Sequence, residues 1–454
     1  MAAYKQDKNS KYSAKVGYRT VNYRSNLDIN LTKSTALYFG ADGFISTKSE
    51  PGNNDTDALW ATQRNLTPIT IPTIYSTGHL PAYGVYNAYS PYVMLNKTGM
   101  TNIRHYRGKA TLELKQDLSM LLKGLKIRAQ GAYDTETNLK EIRSIRPEMY
   151  YAQTRKYTGE LGIIKRVESE PAKYTHEDEQ FYKVHFETTA TYETTVAKEH
   201  RLSALLYYYM SSEQRMNKDI DAKAETLRSM YAIPIRYQGL SGRITYGFRD
   251  TYFMDVNFGY TGSENFQSGH RFGFFPSVAV GWIPTQYEFM QRGLPWLNFL
   301  KIRASYGTVG NDRLTDERFP YLTLMVDGDG GGWGSSSGYI TEERVGANNL
   351  RWEKAKKADL GIEGRLFNEK LQFVVDFFQD KRDGIYQRRS QIPSYVGLTQ
   401  MPFGNVGKMK SYGSDGNISF TQDFGKDMTL TLRGNFTYSA NKVENWEQAF
   451  QPYD

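Results

Sequence analysis

The sequence of 454 residues contains no cysteine. This absence excludes disulfide frameworks, catalytic thiols and thiolate zinc sites. No run approaches the ~18 consecutive apolar residues of a spanning helix, so a helical membrane protein is excluded. The first ten residues, MAAYKQDKNS, have no apolar core and are not expected to form a secretory signal peptide. No repeat of fixed period occurs, which argues against propellers and solenoids.

The net charge is small for a chain of this length, whereas aromatic residues are abundant. The chain has 57 Lys and Arg against 49 Asp and Glu, a net charge of +8, and the basic residues do not gather into the tract that a nucleic-acid partner requires. It has 35 Tyr, 23 Phe and 40 Gly, with a mean hydropathy of −0.62. Because disordered chains are poor in aromatics, this composition predicts a folded, β-rich protein.

Apolar and polar residues alternate with a period of two along much of the chain, which indicates strands. In the clearest run, Tyr252, Met254, Val256, Phe258 and Tyr260 share one face, and the residues between them form the other. Similar runs occupy residues 125–134, 272–282, 300–307 and 428–438. Counting such segments between turn residues gives about 14 strands.

The connections between these strands are alternately short and long. Short turns are predicted at 33–34, 198–199, 249–250, 368–369 and 425–426, and long Gly-, Pro- and Tyr-rich connections at 50–103, 138–180, 214–239, 310–354 and 383–404. Compact soluble domains rarely contain several structureless loops of more than about 15 residues. Outer-membrane barrels have short periplasmic turns and long external loops. The pattern therefore predicts an all-β fold, an antiparallel transmembrane β-barrel.

The two faces of the strands favour the membrane barrel over a soluble sandwich, although alternation alone does not separate them. Tyr252 and Tyr260 bracket an apolar stretch, as aromatic girdles do in barrels. The opposite faces carry charges, among them Asp255, Lys301, Arg303 and Arg433. Unpaired ions in a dry core cost several kcal/mol, whereas a wet lumen accommodates them.

Six segments, in order along the chain, resemble SusC/RagA-type TonB-dependent outer-membrane transporters. The longest is TYFMDVNFGYTGSENFQSGHRFGFFPSVAVGWI at 251–283, followed by LKIRASYGTVGND at 300–312. The others are NYRSNLDINLT at 22–32, LKGLKIRAQGAYD at 122–134, RWEKAKKADLGIE at 351–363 and GNVGKMKSYG at 404–413. Each segment is moderately specific, and their common order strengthens the resemblance.

The resemblance implies a 22-stranded barrel with an N-terminal plug, in the outer membrane of a Gram-negative bacterium. It further implies import of oligosaccharides, glycans or peptides, driven by the TonB–ExbB–ExbD complex and assisted by a SusD-like surface lipoprotein. We expect residues 1–454 to be a partial TonB-dependent receptor β-barrel domain, an internal fragment without the plug domain and the C-terminal strands. Such a fragment would leave two unpaired sheet edges. A passive porin-type barrel and a soluble β-rich carbohydrate-binding protein remain alternatives.

The motif residues have structural roles that we predict separately from the resemblance. They are Gly262, Glu264 and Asn265, which end an outward strand at a tight external turn; Phe275, Pro276 and Ser277, which begin the returning strand; and Gly307, Gly310, Asn311, Asn405 and Gly407. Proline removes a ladder hydrogen bond unless it lies at an edge, a strand start or a bulge. We therefore expect a bulge at Pro276.

Aromatic residues in the long loops are the candidate substrate contacts. They are Tyr83, Tyr86, Tyr89 and the nearby Tyr92 in the first loop, and Trp333 and Tyr339 in a glycine-rich one. Sugar rings stack on aromatic faces, while neighbouring polar groups fix their orientation. The alternative is that these rings pack their own loops together or contact the lipoprotein.

No catalytic residue, cofactor or metal site is predicted. Residues 334–338 (GSSSG) match the nucleophile elbow formally but lack its strand–turn–helix context. Asp327 and Asp329 lack the rest of a calcium loop. Six scattered histidines (His79, His105, His176, His185, His200 and His270) have no metalloprotease spacing, and His176 with the acidic residues to Glu179 is predicted to be an exposed loop. The chain is thus expected to be a transporter, not an enzyme.

Overall fold

The computed structural model describes residues 16–448 except 54, 67–70, 84–87, 153–161, 217–229, 231, 314–317, 329–338, 399 and 426. Its strands, in chain order, are β1 (Gly17–Asn30), β2 (Thr35–Pro51), β3 (Ala82–Tyr83), β4 (Ala88–Tyr89), β5 (Gly99–Asp117), β6 (Leu125–Arg146), β7 (Met149–Ala152), β8 (Ile163–Val167), β9 (Glu170–Val196), β10 (His200–Met216), β11 (Ile235–Phe248), β12 (Tyr252–Ser263), β13 (Phe272–Trp282), β14 (Leu297–Asn311), β15 (Leu324–Gly328), β16 (Tyr339–Arg344), β17 (Glu353–Leu366), β18 (Leu371–Arg388), β19 (Phe403–Phe424) and β20 (Met428–Asn445). The helices are α1 (Thr56–Asn65), α2 (Pro91–Asn96) and α3 (Glu288–Gly293), with short 3-10 helices at Pro284–Gln286 and Ser394–Val396. In this part of the chain, no helix is long and apolar enough to cross a membrane.

Fourteen strands form one antiparallel sheet in the order β1-β2-β5-β6-β9-β10-β11-β12-β13-β14-β17-β18-β19-β20. Each strand of this sheet pairs with the strand of the sheet that follows it along the chain. The short turns, among them 31–34 and 249–251, therefore all lie at one end of the sheet. The long connections lie at the other end, which we call the long-loop end. The predicted strand number and the antiparallel all-β class are confirmed. In the described sheet, β1 and β20 are the two edge strands.

The tight turns have the backbone geometry of hairpins. Arg249 and Asp250, between β11 and β12, have φ angles of 52° and 51°. Two successive positive φ values are typical of the turns whose twist matches paired strands. Positive φ values also occur at Ala197 and Lys198, and at Phe367 to Glu369, so the predicted turns at 198–199 and 368–369 are confirmed.

Paired residues in an antiparallel sheet lie on the same face, so the register assigns every side chain to a face. In β12, Met254 and Val256 are 45% and 39% exposed and continue across the sheet to Val278 and Val280 of β13. We call this side the apolar face. The other side, the polar face, carries Asp255, whose side chain is only 18% exposed. The predicted alternation is therefore confirmed.

Several predicted strand boundaries were wrong, because the strands extend beyond the segments in which apolar and polar residues alternate. β6 has 22 residues and β9 has 27, and their pairing extends from Leu125↔Tyr192 to Arg146↔Glu170. The acidic run from His176 to Glu179 lies within β9, not in a loop, and Glu177 pairs with Lys140 at 3.5 Å. The long connections are also not structureless, because they contain the hairpins β3–β4, β7–β8 and β15–β16.

The bulge expected at Pro276 was also wrong. The register between β12 and β13 runs without a shift from Tyr252↔Trp282 to Gly262↔Phe272 and includes Phe258↔Pro276. Pairing of β13 with β14 extends only from Trp282 to Ser277. Pro276 thus lies one residue beyond that ladder, where β13 has an edge, and an edge tolerates the missing N–H.

Candidate functional site: the polar face and the long-loop end

The polar face is cross-linked by an ion network that spans three strands. Arg128 of β6 donates from Nη1 to Oε2 of Glu113 on β5 at 3.2 Å, and from Nη2 to Oε1 of Glu187 on β9 at 2.8 Å. Lys115 lies 2.8 Å from the second oxygen of Glu113. The hydroxyl of Tyr207 on β10 donates to Oε2 of Glu187 at 2.9 Å. The carboxylates of Glu113 and Glu187 are mostly buried within the polar face. Partners on neighbouring strands neutralise them, as buried charges require.

A second network joins β14, β17 and β18. Arg303 contacts Glu363 at 3.0 Å, Asp376 at 2.7 Å and Asp359 at 3.5 Å. Lys301 also lies 3.7 Å from Glu363. Three carboxylates therefore share two cations, which leaves this part of the polar face acidic.

The charges predicted to line a lumen thus mostly occur as pairs. Asp255 accepts a 2.8 Å hydrogen bond from Nε of Arg243 across the β11–β12 pair. Lys301 and Arg303 belong to the second network. Arg433 lies on the edge strand β20, opposite Ser419, on the same face. The sequence located these ions on one face but did not reveal their partners, because pairing depends on register.

Aromatic side chains border the apolar face near the short turns. His200, Phe248, Tyr252 and Trp282 lie in one cross-strand row. The rings of His200 and Phe248 are 4.8 Å apart, and those of Phe248 and Tyr252 are 6.4 Å apart. Tyr252 also forms a hydrogen bond between hydroxyl groups with Tyr287, which lies outside this row. Amphipathic rings in such a row match the girdle at a membrane–water interface.

A buried aromatic cluster, here called the rim cluster, packs two connections against strands β13, β18 and β19 at the long-loop end. Its members are Phe266, Ala347, Leu350, Trp352 and Tyr386, with Phe275 and Phe403 against it. Nε1 of Trp352 donates to the carbonyl of Arg271 at 3.1 Å, and the Trp352 ring lies 5.3 Å from the ring of Phe275. The cluster fixes the entry of β13, β17 and β19 relative to one another.

The predicted motif residues surround this rim cluster. Asn265 donates to the carbonyl of Asp312 at 3.1 Å, and Asn405 exchanges hydrogen bonds of 2.8 and 2.9 Å with the backbone of Arg351. Asn311 contacts Glu353 at 3.5 Å. Each asparagine side chain therefore connects two segments that are far apart in sequence.

Close packing explains several of the motif glycines. A Cβ on Gly310 would lie 2.0 Å from the Phe275 ring, and one on Gly307 would lie 2.5 Å from Cβ of Ser277. A Cβ on Gly407 would lie 2.9 Å from Cβ of Ile385. Gly262 lies near the end of β12, where it pairs with Phe272, and Glu264 follows the strand. The connection to β13 spans residues 264–271 and is longer than the predicted tight turn.

A second cluster, here called the loop lobe, lies at the same end. Its buried members are Ala82, Tyr92, Val93, Met149 and Val167, drawn from α2 and the hairpins β3–β4 and β7–β8. Oγ of Ser90 caps α2 by accepting from the N–H of Val93 at 3.3 Å. The hydroxyl of Tyr75 accepts from the N–H of Ala152 at 3.2 Å, and burial raises the pKa of that hydroxyl. The first and second long loops are thus packed into one unit.

Of the predicted substrate-binding aromatics, the structure places Tyr83 and Tyr89 in one hairpin, and it brings Tyr89 and Tyr92 together at the loop lobe. Tyr89 packs, partly buried, against the loop lobe, and Tyr92 is 9% exposed within it. Tyr83 ends β3 and Tyr339 begins β16. Tyr86 and Trp333 lie outside the described residues, as do Asp329 and residues 334–338. Packing thus accounts for Tyr92, and substrate contact by the other five stays a prediction.

No group of three or more metal-ligating side chains occurs within the described ranges. The histidines instead have local partners. His105 lies 3.0 Å from Glu136, and His185 lies 3.1 Å from Glu187. His79 packs against the Tyr150 ring at 4.2 Å.

Comparison with known proteins agrees with this architecture. The family model "TonB dependent receptor-like, beta-barrel" matches residues 38–452. The chain is 26% identical over 235 residues to TonB-dependent receptor P3 of Formosa agariphila, which covers 50% of this chain and 22% of that protein. It is 27% identical over 205 residues to TonB-dependent receptor SusC of Bacteroides thetaiotaomicron, which covers 44% and 20%.

Solved structures share the fold. The RagAB peptide importer in its open-open state superposes with a TM-score of 0.65 at 18% identity, covering 94% of this chain and 46% of that one. The closed-closed state gives a TM-score of 0.63 over 95% and 47%. The chain therefore spans less than half the length of these solved chains. With its fourteen-stranded sheet and a family match over residues 38–452, the chain belongs to the TonB-dependent receptor-like β-barrel family.

Proposed function

We propose that the chain forms part of the barrel wall of an importer that takes up oligosaccharides, glycans or peptides through the outer membrane of a Gram-negative bacterium. One observation carries the proposal. A single fourteen-stranded sheet leaves its apolar face exposed and ties its polar face together with ion pairs. Lipid would cover the apolar face, and the polar face would line a wet passage. A soluble β-rich carbohydrate-binding protein would not leave so large an apolar surface uncovered.

The ion networks give the passage a rigid wall. Arg128 and Arg303 each connect three strands, so a change at one strand is resisted by its neighbours. In the complete importer, a plug inside the barrel would move when TonB–ExbB–ExbD supplies energy. The wall residues then need no rearrangement of their own, since Arg128 and Arg303 already have carboxylate partners within the sheet.

The long-loop end is the surface on which substrate and a SusD-like lipoprotein would be received. The rim cluster and the loop lobe hold several long connections in fixed positions. Tyr83, Tyr86, Tyr89, Trp333 and Tyr339 are the proposed cargo contacts, through stacking on sugar rings or contact with peptide side chains. On this proposal the chain binds and conducts cargo and catalyses no reaction.

The test is uptake by the full-length protein in a strain from which its gene has been deleted. Labelled oligosaccharides and labelled peptides are supplied separately, with and without TonB. The proposal predicts accumulation of one class of cargo that disappears without TonB. Uptake that persists without TonB would support a passive porin-type barrel, and recovery of the protein in the soluble fraction would contradict membrane import altogether.

A further inference from the structure

A hollow of about 480 Å³ indents the polar face beside the short turn at 31–34. Cross-strand pairing places six of its lining residues on this face, in two adjacent rows: Lys115, Arg128 and Thr189 in one row, and Asp117, Lys126 and Thr191 in the row nearer the turns. The volume falls within the range of ~300–1,000 Å³ that is common for small-molecule sites. The hollow is therefore large enough for a ligand and not only for water.

Two lysines in this hollow have no anionic partner. The two cations of the first row are already held by the ion network of the polar face. Lys33, in the turn, and Lys126 form no ion pair with a carboxylate of the described residues. Asp117 also lines the hollow, but its Oδ1 accepts from the N–H of Ser119 at 2.8 Å and so caps the 118–124 turn. The hollow keeps an excess of positive charge, which favours an anionic ligand.

A buried hydroxyl in the same hollow lacks a partner. Thr189 is 9% exposed, and its Oγ1 forms no hydrogen bond within the described residues. A buried polar group that stays unsatisfied is costly. Thr189 lies opposite Arg128 across the β6–β9 pair, one row from Lys126. A ligand with both an anionic group and hydroxyl groups would therefore complete the pairing of Lys126 and of Thr189 together.

A smaller hollow of about 230 Å³ lies further from the turns along β1, β2 and β5. Tyr38 lines it and supplies an aromatic ring on the polar face. Its two cations are matched by carboxylates across neighbouring strand pairs, Arg24 by Asp42 and Lys109 by Asp134. The excess of positive charge is thus confined to the larger hollow, and the smaller one offers a ring.

We propose that these two hollows bind an acidic oligosaccharide, one whose sugar rings carry carboxylate or sulfate groups, as it leaves the passage at the short-turn end. The anionic group of one ring contacts Lys33 and Lys126, and a hydroxyl of the same ring meets Thr189. A following ring stacks on Tyr38. The inference rests on the proposed function and deepens it, since it narrows the cargo from glycans or peptides to acidic glycans.

The lining favours a sugar over an acidic peptide. The larger hollow has more room than a single carboxylate side chain fills, and its threonine hydroxyls match the hydroxyl groups of a sugar ring. The ring of Tyr38 adds the apolar face on which sugars stack. An acidic peptide would satisfy the lysines but would leave these other groups without a role.

The experiment measures uptake by the full-length protein in the strain from which its gene has been deleted. The labelled acidic probes are trigalacturonate and a sulfated galactan trisaccharide, and their neutral counterparts are the carboxyl-reduced and desulfated forms. A labelled acidic peptide is tested beside them. We expect TonB-dependent uptake of at least one acidic probe, about tenfold faster than that of its neutral counterpart, because the anion gains charge-assisted hydrogen bonds.

The double variant K33Q/K126Q should slow uptake of the acidic probe about tenfold at low concentration, because it removes the two lysines without partners. The matched control is K198Q/K370Q, which removes the same charge from two other short turns and should transport like the wild type. Equal uptake by K33Q/K126Q and wild type, or an equal loss in the control, would overturn the proposal. Uptake of the acidic peptide or of the neutral counterparts at the same rate would also overturn it.

Thr189→Val removes the hydroxyl without changing the charge. It should slow uptake of the acidic probe about threefold, because the ligand loses one hydrogen bond. Unfolding in urea should be no easier than in the wild type, since the hydroxyl has no partner within the protein. A hydroxyl with only a structural role would give unchanged uptake and easier unfolding, and that result would count against the proposal.

The inference and the proposed function fail in different ways. If the importer carries only neutral oligosaccharides or peptides, TonB-dependent uptake of those probes persists and only the acidic cargo class is wrong. If the chain is not part of an importer, no probe accumulates and the wild type matches the deletion strain. Altered migration of unheated samples in SDS gels identifies a misfolded variant.

Discussion

Arg128 and Glu187 lie on neighbouring strands of the polar face, with Nη2 of the arginine 2.8 Å from Oε1 of the carboxylate. The same guanidinium holds Glu113 on the other side. The side chains of Glu113 and Glu187 are 9% and 14% exposed, whereas that of Arg128 is 41% exposed. One partly exposed cation therefore bridges two mostly buried anions, one of which also contacts Lys115.

Replacement of Arg128 by Met should lower the free energy of unfolding by about 1–3 kcal/mol. The substitution leaves two covered carboxylates without their shared partner, and the exposure of Arg128 reduces the cost below that of a fully buried pair. Urea unfolding of the full-length protein in lipid vesicles measures the change. The control is Arg365→Met, whose partner Glu369 is 56% exposed and whose loss should cost less than about 0.5 kcal/mol. Equal losses in the two variants would show that the network adds nothing.

Gly310→Ala should destabilise the rim cluster by about 1–3 kcal/mol, because the new methyl group would overlap the Phe275 ring. Unfolding in urea again gives the change. Gly131→Ala is the matched control, since no atom lies within 4 Å of the position of its Cβ. The double variant Gly310→Ala/Phe275→Leu should recover part of the loss. Failure of the smaller side chain to help would mean that ring contact is not the cause.

The sequence predicted the strands wherever only one face of the sheet is apolar. Alternation marked β12 and β13 almost to the residue, because Met254 and Val278 belong to the exposed apolar face. Toward the long-loop end, both faces of β6 and β9 are polar. The ladder of backbone hydrogen bonds continues there, but the pattern that reveals it does not.

The candidate site was less predictable, since it depends on contacts between distant segments. Asn405 and Arg351 are 54 residues apart, and nothing near either one indicates their hydrogen bonds. Pro276 shows the same limit. Whether the sheet tolerates a proline at this position depends on where β14 stops pairing with β13. Family motifs identified these residues as structural, whereas their partners required the three-dimensional arrangement.

Trp282 should be quenched by brominated lipid, and Trp352 should not. Trp282 is 41% exposed on the apolar face, within the aromatic row near the short turns. Trp352 is 8% exposed in the rim cluster. Fluorescence of the full-length protein in vesicles of brominated phosphatidylcholine measures the contact with lipid. Trp282→Phe should reduce the quenched fraction, whereas Trp352→Phe should leave the quenched intensity unchanged. The reverse result would place the apolar face away from the membrane.

The β7–β8 hairpin should loosen in acid. Glu148 lies 3.2 Å from Nζ of Lys165, and a hydrogen bond from Tyr150 together with Lys165 holds the pKa of its carboxyl below the ordinary value of 4.5. A lowered pKa in the folded state stabilises the hairpin above the ordinary value, and this stabilisation is lost as the pH falls through the lowered one.

Hydrogen exchange at the amides of β7, corrected for intrinsic rates, measures this loosening between pH 7 and about pH 3. Protection should fall on acidification in the wild type. Glu148→Gln should have weaker protection at pH 7 and little further loss in acid, because no charge remains to be neutralised. Glu168→Gln is the matched control, since Glu168 also contacts Lys165, at 3.4 Å, but is 82% exposed. The Glu168→Gln variant should keep the pH dependence of the wild type. If the substitution abolished that dependence, Glu168 and not Glu148 would be the titrating group that stabilises the hairpin.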